Sequence, residues 1–258
     1  MQRMTSQRRV VILAGGKGTR LGPFTTILPK PLLPIGDRAI LEIVIEQLRL
    51  SGLTRLTLAV GYLSHLIEAV FGDGSEYGVS IDYHHERSPL GTAGALGGVA
   101  DLEDPFLLMN GDIITTLDYA ALVKAHLQSG NALTIATQER IATIDFGVLS
   151  LGQRDGPTQP VIGYLEKPSS QHTVSMGIYV VDPSLLRLIE PGAYLDFPDL
   201  VLRALDAGER VGSYRYDGLW LDIGRHDDYE RAITEFREIG ELLREQDSGH
   251  DQRPTDGS

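Results

Sequence analysis

The chain contains no cysteine among its 258 residues. Disulfides, thiolate metal sites and a cysteine nucleophile are therefore excluded. No apolar run is long enough to span a bilayer, so no membrane partner is expected. The opening MQRMTSQRR is basic, but it leads into a strand-like run rather than a signal-peptide core, which points to a cytoplasmic protein. Positive charge is also scarce. The 23 Lys and Arg residues face 35 Asp and Glu, for a net charge of −12. That balance argues against a broad basic surface and hence against nucleic acid as a partner. It does not argue against a small phosphorylated substrate, because a few cations in a cleft dominate locally. Most of the acidic excess reads as solvated surface.

Hydrophobic residues make up 42% of the chain, enough for one sizeable core, and 29 glycines suit many tight turns. Val10, Val11, Ile12 and Leu13 form a continuous apolar run, which predicts a buried strand over 8–14. An irregular, Pro-rich stretch covers 23–36. A helix is expected from Asp37 to about Gly52, then a strand at Leu56–Val60, a short helix over 63–71 and a strand at Val79–Tyr83. A loop from Glu86 to Gly94 runs into a small-residue helix. The apolar strand Phe106–Met109 ends in Asn110-Gly111-Asp112, followed by an amphipathic helix over 118–129 and a strand over 132–137. Strands alternating with helices at this spacing predict a mostly parallel sheet with helices on both faces.

Beyond about residue 140 the rhythm changes. Strand-like pieces fall at 146–151, 161–166, 174–181, 211–216 and 219–223, with helical pieces at 183–190, 198–207 and 226–244. Residues 1–7 are expected to be flexible, and the polar tail 247–258 to be disordered.

The stretch LAGGKGTRLGPFTTILPKP, residues 13–31, follows the first strand. Gly15, Gly16 and Gly18 lack the Cβ atoms that would hold a ligand away from backbone N–H groups, and Lys17, Arg20 and Lys30 supply positive charge. Strand, glycines and cations in that order suit a polyphosphate. The alternative is a glycine-rich turn between two core elements. Two better-known phosphate loops do not fit. A Gly-x-Gly-x-x-Gly started at Gly16 would need its third glycine at Leu21, and Gly16-Lys17 is followed by Gly18 where a Walker A loop needs Ser or Thr. Ligands of open α/β sheets gather at the C-terminal ends of strands. The glycine loop, the Glu86–Gly94 loop and Asp112 all leave such ends, so three distant segments are expected to meet in one crevice. Without the resemblance described below, Asp112 reads first as a turn residue or helix cap.

Residues 13–21 with Pro29-Lys30-Pro31 resemble the signature of the sugar-nucleotide pyrophosphorylases, the sugar-1-phosphate nucleotidyltransferases. Pro89-Leu90-Gly91-Thr92-Ala93-Gly94 is similar to the string found in mannose-1-phosphate and heptose-1-phosphate guanylyltransferases. The resemblance covers most of residues 8–230. It implies a single Rossmann-like α/β domain over 8–246, of the nucleotide-diphospho-sugar transferase type. A nucleotide-binding half would span 8–140 and a sugar-binding half 141–246. Some relatives continue into hexapeptide repeats. None are seen here, so the catalytic domain alone is expected.

The implied substrates are a nucleoside triphosphate and a sugar 1-phosphate, with Mg²⁺ as cofactor and a possible homo-oligomer as assembly. The implied catalytic residues are Arg20, Lys30, Asp112, Lys167 and Asp222. Asp112 and Asp222 would hold the metal, the latter within Trp220-Leu221-Asp222-Ile223-Gly224. The nucleotide would lie against Leu13, Ala14, Gly15, Gly16, Lys17, Gly18 and Thr19 on one side. Glu86, Pro89, Gly91, Thr92, Asn110 and Gly111 would take the other. The sugar would meet Gly147, Glu166, Lys167, Ser175 and Gly177. Glu166-Lys167 also reads as an exposed ion pair at a strand end. Ser175 and Met176 depart from the Asn-Ala found in many relatives, which leaves the sugar, or a cyclitol in its place, open.

Glu86 bears on the base. A carboxylate only accepts hydrogen bonds, and it pairs best with two adjacent donors such as the N1–H and N2–H₂ of guanine. This favours GTP over dTTP, UTP, ATP or CTP; Glu86 as a solvated loop residue is the alternative. A rival of another class is a non-catalytic, nucleotide-sugar-binding regulatory subunit, disfavoured because the whole charged set is present. The histidines add little. His84 and His85 are strand neighbours pointing to opposite faces, and His226 reads as the start of a helix.

Overall fold

The computed structural model describes residues 8–16, 18, 24–86, 88–224 and 226–234. The expectations for the two termini and for the last helix beyond Thr234 lie outside these residues. The strands are β1 Arg9–Leu13, β2 Pro34–Ile35, β3 Arg38–Ala39, β4 Arg55–Val60, β5 Ser80–His85, β6 Phe106–Asn110 and β7 Ile113–Thr115. They continue with β8 Leu133–Thr143, β9 Val148–Leu151, β10 Val161–Leu165, β11 Ser169–Val181, β12 Val211–Arg215 and β13 Trp220–Asp222. The helices are α1 Ile40–Leu50, α2 Ser64–Phe71, α3 Gly91–Gly94, α4 Tyr119–Ser129, α5 Phe197–Asp206 and α6 His226–Thr234.

Seven strands form one sheet in the order β12-β8-β11-β6-β1-β4-β5. β1 pairs in parallel with β4 and β6, β4 with β5, and β8 with β12, while β11 runs antiparallel between β6 and β8. Val10, Val11 and Ile12 in β1 are completely buried, as are Leu107–Met109 in β6 or nearly so. Such strands are covered on both faces, which is why they read as unbroken apolar runs. Val10, Ile12 and Met109 pack with α1 and α4 residues such as Val44, Leu48 and Leu122. Val11, Phe106 and Leu108 pack on the other face with Leu185, Leu195, Phe197 and Leu200. The predicted architecture, a mostly parallel sheet between helical layers in one α/β domain, is the one observed.

Three expectations need correction. The helix expected from Asp37 begins at Ile40, because Arg38–Ala39 pairs as β3 with Pro34–Ile35 around the turn at Gly36 and Asp37. The strands expected at 132–137 and 174–181 are longer. β8 and β11 continue together as a ribbon, pairing Gln138 with Val174 through Thr143 with Ser169. Ile141 in that ribbon is 73% exposed. A ribbon with solvent on it has no apolar alternation to betray it. The third is β7, a three-residue strand absent from the sequence reading, paired antiparallel with β13. Ile114 of β7 and Leu221 and Ile223 of β13 and its continuation bury into a third cluster with Leu33, Ile35, Ile40 and Ile43.

Candidate active site

The parallel register aligns the C-terminal ends of β1, β4 and β6. Leu13 stands opposite Ala59 on one side and Asn110 on the other. The loops leaving these ends are stitched to one another. Ala14 N–H donates to Ala59 O (2.8 Å) and Gly111 N–H to Leu13 O (3.0 Å). The crevice above them has a volume of about 670 Å³, within the range of small-molecule sites. It is lined by Leu13, Ala14, Gly15, Gly16, Gly18, Lys30, Glu86, Pro89, Gly91, Thr92, Asn110, Gly111 and Asp112, all expected from the sequence. Pro31, Gly61, Tyr62, Ser88 and Asp196 also line it and were not expected. Lys17, Thr19 and Arg20 lie outside the described residues.

Glycine is needed at the crevice floor for close approach. A Cβ on Gly15 would stand 3.0 Å from Glu86 Oε1, so the carboxylate packs directly on the glycine backbone. The other Glu86 oxygen accepts the Leu90 N–H (3.1 Å), closing the loop on itself. Tyr62 backbone N–H reaches Gly15 O (3.4 Å), and its hydroxyl donates to Thr26 O (3.0 Å), so this residue bridges two segments beside the glycines.

Lys30 is presented by a one-turn 3₁₀ segment, Lys30–Leu32, entered from Pro29 in extended conformation and anchored by buried Pro31. Prolines on either side restrict the backbone that carries Lys30. Its ammonium ion-pairs with Asp112 Oδ2, and the two side chains are only 12% and 18% exposed. Asp222 arrives from β13. The antiparallel pairing puts Asp222 opposite Ile113, and Ile223 N–H donates to Asp112 O (3.0 Å). Alternation along the strand buries Leu221 and Ile223 and turns Asp222 outward.

The three charged groups meet at Gly224. A Cβ there would lie 2.7 Å from Lys30 Nζ, 2.8 Å from Asp222 Oδ1 and 3.4 Å from Asp112 Oδ2. Asp222 Oδ1 accepts the Gly224 N–H (3.0 Å). Asp112 Oδ1 is buried without a hydrogen-bond partner. A buried carboxylate oxygen left unmatched is costly and suits a ligand that supplies the missing charge. No group of three or more His, Asp or Glu residues able to hold a metal occurs among the described residues. Two carboxylates completed by phosphate oxygens and water nevertheless match how Mg²⁺ is usually bound in phosphoryl-transfer sites. The residues present therefore fit that ion.

The expected sugar-side residues lie outside the crevice-lining set. Lys167 Nζ pairs with Asp145 Oδ1 (2.7 Å) and Glu166 Oε2 accepts the Tyr164 hydroxyl (2.7 Å), all four on exposed side chains. That hydrogen bond holds the Tyr164 phenol above its ordinary range. Gly147 backs onto the Tyr164 ring. Gly177 lies closer to the crevice. A Cβ on it would stand 2.7 Å from Asn110 Nδ2, and Ser175 Oγ accepts the Gly177 N–H (3.3 Å) at the bulge of β11. His226 begins α6 and faces Glu230 one turn on (3.1 Å), as a helix start would.

Of the unexpected residues, Gly61 and Tyr62 follow the C-terminal end of β4, so the strand-end rule applied to β4 would have found them. Asp196 precedes Phe197-Pro198 and carries only the signal of a helix cap.

The nucleotidyl transferase family matches residues 9–238 of this chain. UTP–glucose-1-phosphate uridylyltransferase of Synechocystis sp. is 32% identical over 247 residues, covering 87% of this chain and 62% of that protein. Mannose-1-phosphate guanyltransferase of Schizosaccharomyces pombe is 32% identical, covering 86% and 62%, and mannose-1-phosphate guanylyltransferase of Mycobacterium tuberculosis is 31% identical, covering 90% and 65%. The chain thus spans less than two thirds of the length of these relatives. Among solved structures, a Bacillus anthracis protein provisionally designated a glucose-1-phosphate thymidylyltransferase superposes with a TM-score of 0.71 at 26% identity, covering 92% of this chain and 98% of that one. The signature at residues 13–31, the crevice it floors and these matches agree: the chain belongs to the nucleotidyl transferase family, the sugar-1-phosphate nucleotidyltransferases.

Proposed function

We propose that the protein transfers a nucleoside monophosphate from a nucleoside triphosphate to a sugar 1-phosphate, releasing pyrophosphate. The observation that carries this reading is the convergence of Lys30, Asp112 and Asp222 on Gly224 at the edge of a glycine-floored crevice. A phosphate oxygen of the sugar 1-phosphate forms a bond to the α-phosphorus, and the bond from that phosphorus to the bridging β-phosphate oxygen breaks. The attacking phosphate is already ionised, so no protein nucleophile or general base is required, and catalysis is positioning plus charge neutralisation.

Backbone N–H groups of Gly15, Gly16 and Gly18 offer donors to the triphosphate. Arg20, with Lys17, is the residue that the family resemblance puts on the leaving pyrophosphate. Lys30, fixed by its flanking prolines, neutralises charge at the α-phosphate. Asp112 and Asp222 would hold Mg²⁺, which supplies a divalent charge to the phosphate oxygens. Lys167 and Glu166 are proposed for the sugar phosphate and sugar hydroxyls. GTP is the proposed triphosphate, on the acceptor-only chemistry of Glu86 and on similarity to proteins named guanylyltransferases. Mannose, heptose or a cyclitol is the proposed sugar type.

Pyrophosphate release from five nucleoside triphosphates against a panel of sugar 1-phosphates tests the reading. Asp112→Asn and Asp222→Asn are each expected to lower turnover by about 10²-fold or more, the scale for removing a preorganised charge at a reacting phosphate. Unchanged release in both would sink the metal assignment. For Glu86→Gln, an unchanged preference for GTP over UTP would remove the base argument.

A further inference from the structure

Among the described residues, Asp196 is the one charged residue lining the crevice that neither the sequence signature nor the proposed chemistry employs. It stands at the N-cap position of α5, with extended backbone (φ −84, ψ 154), where an aspartate ordinarily caps its own helix. Here its side chain makes no such bond. Pro198, at the second helical position, removes one of the two N–H groups that a cap would take. The carboxylate turns instead to the neighbouring 90–94 segment and to Tyr194. Oδ1 accepts the Thr92 N–H (3.3 Å) and Oδ2 accepts the Tyr194 hydroxyl (2.7 Å). In return, Thr92 Oγ1 accepts the Phe197 N–H (2.8 Å), so a residue 105 positions away caps the helix that Asp196 leaves uncapped.

The exchange is reinforced along the backbone. Leu195 N–H donates to Leu90 O (2.8 Å), and Ala93 and Gly94 N–H both donate to Leu195 O (2.9 Å each). Gly91, at φ +77, is pressed so close that a Cβ would meet Leu195 O at 2.5 Å and Asp196 Oδ1 at 2.8 Å. The loop from Glu86 to Thr92 is therefore held by a carboxylate at each end, Glu86 on Leu90 N–H and Asp196 on Thr92 N–H. Between them, Ser88, Pro89 and Gly91 face the crevice.

We propose that Asp196, through its reciprocal clasp with Thr92, is a positioning residue that sets nucleobase discrimination. The loop it clasps is the wall at the Glu86 end of the crevice, so a shift there changes which base edge is matched and leaves the phosphate side in place. The inference rests on the nucleotidyltransferase reading but not on the choice of GTP. A helix cap is given up locally for a contact with a segment distant in sequence, a break in local consistency of the kind expected at functional positions.

The test is equilibrium binding of ATP, GTP, CTP, UTP and dTTP, together with turnover, in the wild type, Asp196→Ala, Asp196→Asn and Thr92→Val. Asp196→Ala is expected to shrink the affinity ratio between the best and second-best triphosphate by about 10-fold, while kcat at saturating best triphosphate stays within about 3-fold. Asp196→Asn keeps an oxygen acceptor and is expected to restore most of the ratio. Thr92→Val removes only the hydroxyl side of the clasp and is expected to move the ratio in the same direction, which keeps the test decisive where Asp196→Ala fails to fold. A common loss for all five triphosphates, or no change in the ratio, would overturn the proposal as a merely structural contact. A wild type that prefers a triphosphate other than GTP removes the base reading alone. A wild type that binds none of the five removes both.

Discussion

Gly91→Ala and Gly52→Ala make a matched pair. Both glycines have φ +77, but a Cβ on Gly52 meets nothing within 4 Å, while one on Gly91 meets the Leu195 carbonyl oxygen at 2.5 Å. The conformational cost of alanine in the left-handed region is common to both and is about 1–2 kcal/mol. Only Gly91 adds a collision. Ordinary van der Waals contact begins at 3.4 Å, so the Leu90–Gly94 backbone would have to retreat by about 0.9 Å from Leu195. Three hydrogen bonds of 2.8–2.9 Å join these segments, and a retreat of that size carries them out of bonding range. At about 1 kcal/mol for each bond, Gly91→Ala is expected to cost roughly 4–5 kcal/mol in all. For a domain of this size that corresponds to a fall in Tm of about 8–20 °C, against about 2–8 °C for Gly52→Ala. Thermal unfolding followed by circular dichroism measures both. If the two variants melt within 2 °C of each other, the close packing of the base loop on Leu195 is refuted, since strain alone would then account for both.

Further outcomes follow from buried polar groups. The Tyr119 hydroxyl is buried without a hydrogen-bond partner, and burial raises the phenol well above its ordinary pKa. Tyr119→Phe is therefore expected to leave the protein as stable or more stable by about 1 kcal/mol, and a clear fall in Tm would contradict the lack of a partner. His126 is 2% exposed, with Nδ1 against Thr134 Oγ1 (2.9 Å), and desolvation lowers its pKa from 6.5. The unfolded chain then binds a proton first as pH falls through about 6.5, so this residue's contribution to stability declines from there toward its folded pKa. His126→Gln is expected to flatten the fall in Tm between pH 7 and 5.5, and an unaltered slope would count against a neutral buried imidazole.

Much of the first half was legible because its strands are covered on both faces. Val10 to Leu13 and Phe106 to Met109 can hardly be anything but interior strands, and the glycine loop and Asp112 follow from where such strands end. Lys30 and Asp222 were reached through the family signature, and the structure places the Lys30 ammonium and the Asp112 and Asp222 carboxylates around one glycine. What stayed hidden depends on tertiary context. β7 is three residues long and acquires its strand character from β13. The β8–β11 ribbon carries polar and apolar residues without rhythm because solvent reaches it. Asp196 displays the local signal of a helix cap, and only the folded chain shows its carboxylate turned away to Thr92.

The pairing of β7 with β13 also has a consequence in time. Asp112 and Asp222 are 110 positions apart, and the strand that joins them is the last described in the chain. Contacts of such long separation are slow to form, and in synthesis the N-terminal segments emerge first. A nascent chain can therefore pair β1, β4 and β6 and form the glycine floor of the crevice well before it possesses its pair of carboxylates. The only tryptophan, Trp220, sits two residues before Asp222, its Nε1 donating to Met176 O (3.1 Å) beneath the Arg140 guanidinium. Its passage from water into that niche is an optical clock for the arrival of the second carboxylate.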